Sequence, residues 1–452
     1  FNRWTLVMTE GLPGGRSPSV PATGSDFVRG HTLYADGSKI FDLDGVGTFA
    51  WQWQRSSDNG ATWSAVNGAT TSDYTLTQAD VGKLVRSAAT YVDGAGTQET
   101  VFSFAFVSGS VAESGATLVG TFQSDTLTGS AGNDVLVGGG GPDSMDGKDG
   151  SDIYLFTGNY FHKLAEMHDT GTSGIDEVRF NAGKASTLKI FAGDTGIEKV
   201  VVGTGTGTNA DSSGTLALNI DASRAVNGVT LIGNAGANKL FGTAFDDTID
   251  GGAGADKMAG GEGNDTYIVD NTLDAIVEKT GADTVMASVS YTLAGTVENL
   301  TLTGTDNIDG MGNKLANIIA GNAGSNTLLG GEGNDTITGG AGADTFVFNT
   351  RTSATKNVDT ISDFSSSDGD QLQFSSVKWF KGLGAAGDLT SDQFWSGADV
   401  TSAHDASDRL IYNTSTGDLY YDADGTGAKA AILVAHLTGN PALTFGDIQI
   451  IA

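Results

Sequence analysis

The 452-residue chain has no cysteine, only 5 prolines and 5 histidines, and 24 basic residues against 54 acidic ones. Without cysteine there is no disulfide framework, no thiolate metal site and no cysteine nucleophile, and the chain neither requires nor excludes an oxidising compartment. No apolar run is long enough to span a membrane as a helix, and no basic-plus-apolar leader opens the sequence. A formal charge of −30 argues against nucleic acid and against bare anionic lipid as partners, because both would repel it. Catalytic signatures are equally scarce. No His-Glu-x-x-His zinc motif and no Gly-x-Ser-x-Gly elbow occurs, and paired carboxylates identify nothing in a chain this acidic. The chain therefore reads as non-catalytic.

What is present in excess is glycine, 67 residues, and much of it is periodic. Three stretches repeat every nine residues, each unit opening on glycine, with Asp or Asn in sixth place and a bulky apolar residue two places later. The sixth places are Asp125, Asp134, Asp143 and Asp152 in the first stretch, Asn238, Asp247, Asp256 and Asp265 in the second, and Asn317, Asn326, Asp335 and Asp344 in the third. The glycines permit a tight turn with φ > 0, and the remaining x-U-x piece has room only for a very short strand. Turn plus strand, repeated, makes a coil. Two units per coil would stack residues 18 apart, Asp125 above Asp143 and Asp134 above Asp152. Carboxylates stacked at strand spacing repel, and a hard cation between them, completed by turn carbonyls, converts that repulsion into binding. An all-oxygen, geometrically tolerant shell favours calcium over magnesium.

Units such as Gly330-Gly-Glu-Gly-Asn-Asp335-Thr-Ile337-Thr and Gly339-Gly-Ala-Gly-Ala-Asp344-Thr-Phe346-Val resemble the RTX family, whose Gly-Gly-x-Gly-x-Asp-x-U-x repeat binds calcium in a parallel β-roll. The resemblance covers roughly 120 to 450. It implies several calcium ions held by the sixth-place residues, with the Asn positions weaker or filled by carbonyls alone. It also implies export through a type I secretion apparatus reading the C-terminal tail, and an extracellular or cell-surface location. Calcium would then supply part of the folding energy of a self-repelling, glycine-rich chain, leaving it loose where calcium is scarce.

The expected fold is all-β: an Ig-like β-sandwich, an elongated calcium-binding parallel β-roll or β-helix, and a β-rich C-terminal cap. Residues 1–19 read as a linker, and a start at Phe1 suggests a longer or processed native protein. Residues 20–110 show short alternating strands, with Phe49, Trp51 and Trp53 on one face. The run Trp51-Gln-Trp53 to Trp63 resembles bacterial Ig-like domains. Trp51 and Trp53 are expected in its core rather than on a carbohydrate platform, with Trp63 left open. Repeat blocks at 111–157, 233–271 and 304–349 would be joined by metal-free parallel coils at 158–232 and 272–303, and 350–452 would form the cap and secretion signal. Within the cap, Asp422-Ala-Asp424-Gly425 follows a hairpin and is either a plain Asp-Gly turn or a further calcium site at Asp422 and Asp424. In Phe161-His162-Lys-Leu-Ala-Glu166-Met-His168 the side chains could assemble a transition-metal or acid–base site, but a surface segment between coils is expected there. Gly203-Thr-Gly205-Thr-Gly207 lacks the third glycine and the helix of a nucleotide loop.

Three roles fit the sequence. The first is a secreted structural or adhesive component, self-associating or bridged by calcium to surface polysaccharide. The second is the C-terminal export and folding module of a larger secreted enzyme. The third is a glycan binder acting through the Ig-like domain.

Overall fold

The computed structural model describes residues 7–10, 32–37, 40, 45–57, 60–80, 83–103, 106–107, 115–157, 162, 165–351, 353 and 355–452. Strands, turns and short 3-10 helices make up all of it, and no described helix is long and apolar enough to cross a membrane. The chain divides into an N-terminal unit and a second unit that holds most of residues 118–452.

The N-terminal unit contains two antiparallel sheets. Val7–Glu10, Thr32–Asp36 and Asp73–Thr75 form one, so a strand occurs inside the stretch read as linker. Ala50–Ser56 and Leu84–Val92 form the centre of the other, flanked by Ser64–Ala65, Gln98–Phe102 and Phe106–Val107. Both sheets contribute to one apolar cluster of Leu33, Tyr74, Trp53 and Val85. Trp53 is fully enclosed and stacks on Tyr74 at 5.4 Å between ring centroids. The Tyr74 hydroxyl donates to buried Asp80 at 2.6 Å, and Arg55 lies 2.6 Å from the same carboxylate. Burial pushes the Asp80 carboxyl up, but the donors Tyr74 and Thr77 and the nearby Arg55 outweigh it, so the pKa lies below its ordinary value. Trp51 is half-buried between this cluster and one around Ile40, Ala89 and Tyr91. Most of residues 1–31 of the expected linker and sandwich lies outside the described residues.

The second unit is a stack of parallel coils. One ladder passes through Ile153–Thr157, Glu177–Asn181, Lys199–Val202, Thr230–Ile232, Thr248–Asp250, Thr266–Val269, Thr284–Ala287, Asn299–Leu302, Ile318–Ala320, Thr336–Thr338 and Asp359–Ile361. Other parallel ladders run through Leu218–Asp221, Lys239–Phe241 and Lys257–Ala259, and through Thr327–Leu329, Thr345–Phe348 and Gln371–Ser375. Within the second repeat stretch Leu240 pairs with Met258 and Ile249 with Tyr267, steps of 18 residues and hence two nine-residue units per coil. Each short strand turns one large side chain inward, as strand alternation requires, and these stack into a continuous core. The ladders continue through the intervals at 158–232 and 272–303.

The C-terminal region is built into the same stack. Ile432–Leu437 pairs parallel to Asp359–Ile361 and carries an antiparallel meander with Asp418–Tyr421 and Leu410–Asn413. The last strand, Ile448–Ile451, pairs parallel to Gln371–Ser375. Phe348, Phe374, Phe380 and Tyr421 form a chain of ring contacts from the last repeat into this region.

Candidate metal centre

The nonapeptide turns owe their shape to three glycines with different tasks. In the unit opening at Gly330, Gly331 and Gly333 have φ of 102° and 137°, and a Cβ on Gly333 would strike the Leu315 backbone of the adjacent coil. The opening glycine makes room for the unit's own carboxylate: a Cβ on Gly339 would lie 2.6 Å from Asp344 Oδ2. The sequence thus brings the coils close and folds each sixth-place side chain back over its own turn.

Most sixth-place carboxylates accept a hydrogen bond from the coil before them. Asp125 N–H donates to Asp143 Oδ1 at 3.0 Å, Asn238 to Asp256 at 2.7 Å, Asp247 to Asp265 at 2.8 Å, and Asn317 and Asn326 to Asp335 and Asp344, both at 2.8 Å. The second oxygen differs between units. For Asp256, Asp265, Asp335 and Asp344, Oδ2 is buried and receives no hydrogen bond from any described residue. For Asp247 the Thr243 N–H donates to Oδ2 at 2.6 Å, and for Asp125 the Thr121 N–H does so, also at 2.6 Å. Asp134 receives the N–H of Ser130, and that of Ala116 as well.

The second place of the unit separates the two cases. Units with φ > 0 there have Gly139, Lys148, Gly252, Gly261, Gly331 or Gly340 in that place, and they are the units of Asp143, Asp152, Asp256, Asp265, Asp335 and Asp344. Where the second residue is Thr, Ser or Asn, it does not adopt positive φ and its N–H closes on the sixth side chain.

The asparagines follow the same logic and satisfy themselves. Asn238, Asn317 and Asn326 accept from the N–H of Asn234, Asn313 and Asn322 at 2.9, 2.8 and 2.9 Å. Their amides donate to carbonyls of the previous coil: Asn238 to Leu218, Asn317 to Glu298 at 3.0 Å, and Asn326 to Ile308 at 2.7 Å. These three side chains carry NH₂ groups where the Asp units have acceptor oxygens, and the weak metal edges expected from the sequence are closed by amide hydrogen bonds.

Burial without a counter-charge raises the acids. Asp256 and Asp265 are each pushed up to about 7 and Asp335 to about 6, by burial first, although the N–H donors oppose it; stacked carboxylates add to the rise for Asp256 and Asp265. Asp143 and Asp344 are raised for the same leading reason. Buried, raised, donor-poor carboxylates facing glycine turns form an oxygen-only set suited to a hard divalent cation.

Sequence reading missed the carboxylates that carry each stack one coil further. Asp152 N–H donates to Asp176 at 2.8 Å, Asp256 to Asp274 at 2.9 Å, Asp265 to Asp283 at 2.9 Å, Asp335 to Asp359 at 3.2 Å and Asp344 to Asp370 at 2.9 Å. Asp176, Asp359 and Asp370 follow longer excursions, at steps of 24 and 26 residues, which break the nine-residue count. Asp274 and Asp283 keep the step of 18 but lack the opening glycine. The usable signal was the x-Asp-x-U-x core, as in Ala282-Asp283-Thr-Val285.

Elsewhere the expected sites resolve differently. Asp422 is buried and accepts the Asp424 N–H at 3.1 Å; Asp424 is half-buried, with one buried oxygen lacking a donor, and belongs to the C-terminal meander rather than to the repeat turns. His162 does not sit on the surface segment expected there: its side chain is enclosed, with Nδ1 3.1 Å from Glu166 and Nε2 2.6 Å from Asp194. Burial lowers its pKa, but the bonds to Asp194 and Glu166 win and hold it at about 8. Both ring nitrogens are engaged, leaving none for a metal or substrate. His168 lies apart, 3.1 Å from the Thr195 hydroxyl. Phe161, Lys163 and Leu164 are outside the described residues.

A family model of the RTX calcium-binding nonapeptide repeat, four copies long, matches residues 119–154, 232–267 and 311–346. These are the three stretches whose turns are described above, so the chain carries RTX repeats on an all-β, largely parallel framework. No curated protein matches the chain.

Proposed function

We propose that this chain is a secreted calcium-binding protein whose coils complete their packing on extracellular calcium, and that it serves as a non-catalytic structural or adhesive component at the cell surface or in the matrix. One observation carries the calcium reading: buried Oδ2 atoms of Asp256, Asp265, Asp335 and Asp344 lack any donor, in turns that the RTX repeat model matches. With Asp143 and Asp152 from the equivalent units, these residues would hold the ions together with turn carbonyls. The bound ion supplies positive charge to a stack that has few basic side chains of its own.

The structural role is supported by the continuity of the parallel ladders from repeat to cap, which makes a metal-stiffened scaffold, and by the type I export that RTX repeats imply. Self-association, or calcium bridging to acidic polysaccharide, would supply the contacts. Trp63 is a poor glycan platform, because the Arg86 guanidinium lies 4.0 Å from its ring centroid. The test is a calcium titration of the purified chain followed by circular dichroism and light scattering, with magnesium as control. A cooperative gain of β structure near millimolar calcium followed by ordered assembly is expected. Folding without assembly would favour an export module, and a chain fully folded in chelator and indifferent to calcium would refute the calcium reading.

A further inference from the structure

Beyond the matched repeats, Glu278 and Asp283 fall within an interval that the sequence reads as metal-free. The isolated parallel bridge from Glu262 to Thr280 sets this coil in register with the last unit of the second block. At a step of 18, Glu278 stands where Gly260 stands, and Asp283 where Asp265 stands. An opening glycine has thus been replaced by a carboxylate.

One oxygen from each of Asp265, Glu278 and Asp283 lies within 4.8 Å of the others, and all three residues are buried. Oδ2 of Asp265 and of Asp283 is buried with no hydrogen-bond donor, and the two residues are 1% and 0% exposed. Glu278 is held in place: Oε1 accepts the Gly261 N–H at 3.2 Å and the Lys279 N–H at 3.0 Å, while Oε2 meets the Tyr267 hydroxyl. Tyr267 OH in turn accepts the Gly260 N–H at 2.6 Å. None of the three acids has a basic partner among the described residues.

We propose that Asp265, Glu278 and Asp283 form a three-carboxylate site for a hard divalent cation, calcium above all, closing the second block with a coil outside the nonapeptide series. This rests on the calcium reading above and adds a side-chain ligand that the repeat itself does not provide. Three converging carboxylates leave a local charge that one dication largely neutralises. The absence of nitrogen and sulfur donors selects against zinc and copper. More carboxylates per site raise calcium affinity, so this site fills before the two-carboxylate turns.

The test uses the full chain. Bound calcium is counted by atomic emission after equilibrium dialysis across a calcium series, for the wild type and Glu278→Gln, with circular dichroism reporting the fold. Glu278→Gln should lose the tightest ion, weakening one site by about tenfold or more while the other sites are retained. Tyr267→Phe provides a second arm: with terbium as probe, removing this tyrosine should abolish one sensitised emission component, because it touches the site. If the wild type binds calcium and Glu278→Gln changes neither the count nor any affinity, the site is overturned and Glu278 is only an acid bonded to Tyr267. Should Glu278→Gln not fold, unchanged emission in Tyr267→Phe overturns the site equally. A wild type that binds no calcium overturns this site and the calcium reading together.

Discussion

Removing calcium should invert the pH dependence of stability. With no cation, Asp256 and Asp265 sit at about 7, Asp335 at about 6, and Asp176 and Asp359 at about 8, all raised chiefly by burial. Unfolded carboxylates titrate near ~4. A folded value raised above the unfolded one means that the stabilising contribution is complete below about pH 4 and is lost as pH climbs through 6 to 8. Each such group changes stability by at most ~1.4 kcal/mol per pH unit, so five of them, discounted by half for solvent reaching the turns, give roughly 3 kcal/mol per unit between about pH 5 and 6. The assay is thermal unfolding of the β signal in chelator from about pH 8 to pH 5, with midpoints expected to rise on acidification. Asp359→Asn should flatten that slope, which separates these groups from a general reduction of net charge. In calcium the trend reverses, since protons compete with the ion for the same oxygens. Midpoints in chelator that fall steadily on acidification would refute the reasoning.

Gly333→Ala forces a left-handed backbone on a residue with a Cβ aimed at Leu315, and should lower stability by about 2 kcal/mol or more in calcium, read as a shift of the unfolding midpoint. Trp53→Ala empties the fully enclosed site stacked on Tyr74 and should cost the N-terminal unit about 3–5 kcal/mol, visible in near-ultraviolet dichroism and denaturant midpoint. His162→Ala sets Glu166 against Asp194 and should destabilise by ~3 kcal/mol. In the wild type the same contact is complete below the unfolded histidine value near ~6.5 and fades as pH rises through about 8. Asn326→Asp removes amide donors to Ile308 and Asn322 and should lower metal-free stability by ~1–3 kcal/mol, measured by melting in chelator.

The coil architecture was legible because its cause is local and periodic: glycine turns, one inward apolar residue per unit, and a fixed nine-residue count. Ile249 and Tyr267 could be placed in one column from spacing alone, as could Leu240 and Met258. Asp176, Asp359 and Asp370 could not, since excursions between coils break the count while the ladder restores the register. The His162 segment was misread because its burial depends on Asp194, 32 residues away and in no motif with it. The sixth-place residues also differ among themselves in a way that the nine-residue count does not show. A carboxylate was taken as a ligand by its identity, whereas its vacant acceptor capacity depends on the backbone conformation four residues earlier.

That dependence sorts all three blocks in the same way. The first two units of each have Thr121 and Ser130, Asn234 and Thr243, or Asn313 and Asn322 in second place, and their N–H groups close on the sixth side chain. The last two units have a left-handed residue there, and the acceptor oxygens of Asp256, Asp265, Asp335 and Asp344 are left with no donor. In the second and third blocks one coil therefore satisfies its own turns, and the next, stacked upon it, does not. The first coil supplies the N–H that fixes Oδ1 of the second, as Asn317 does for Asp335 and Asn326 for Asp344, so those carboxylates are oriented before any ion arrives. A cation then meets preformed oxygens rather than a flexible loop, and the ordering cost of the site falls on hydrogen bonds that exist without it. By this argument calcium dependence is concentrated in the second coil of the second and third blocks, and the self-satisfied coil beneath it is the template on which that dependence is built.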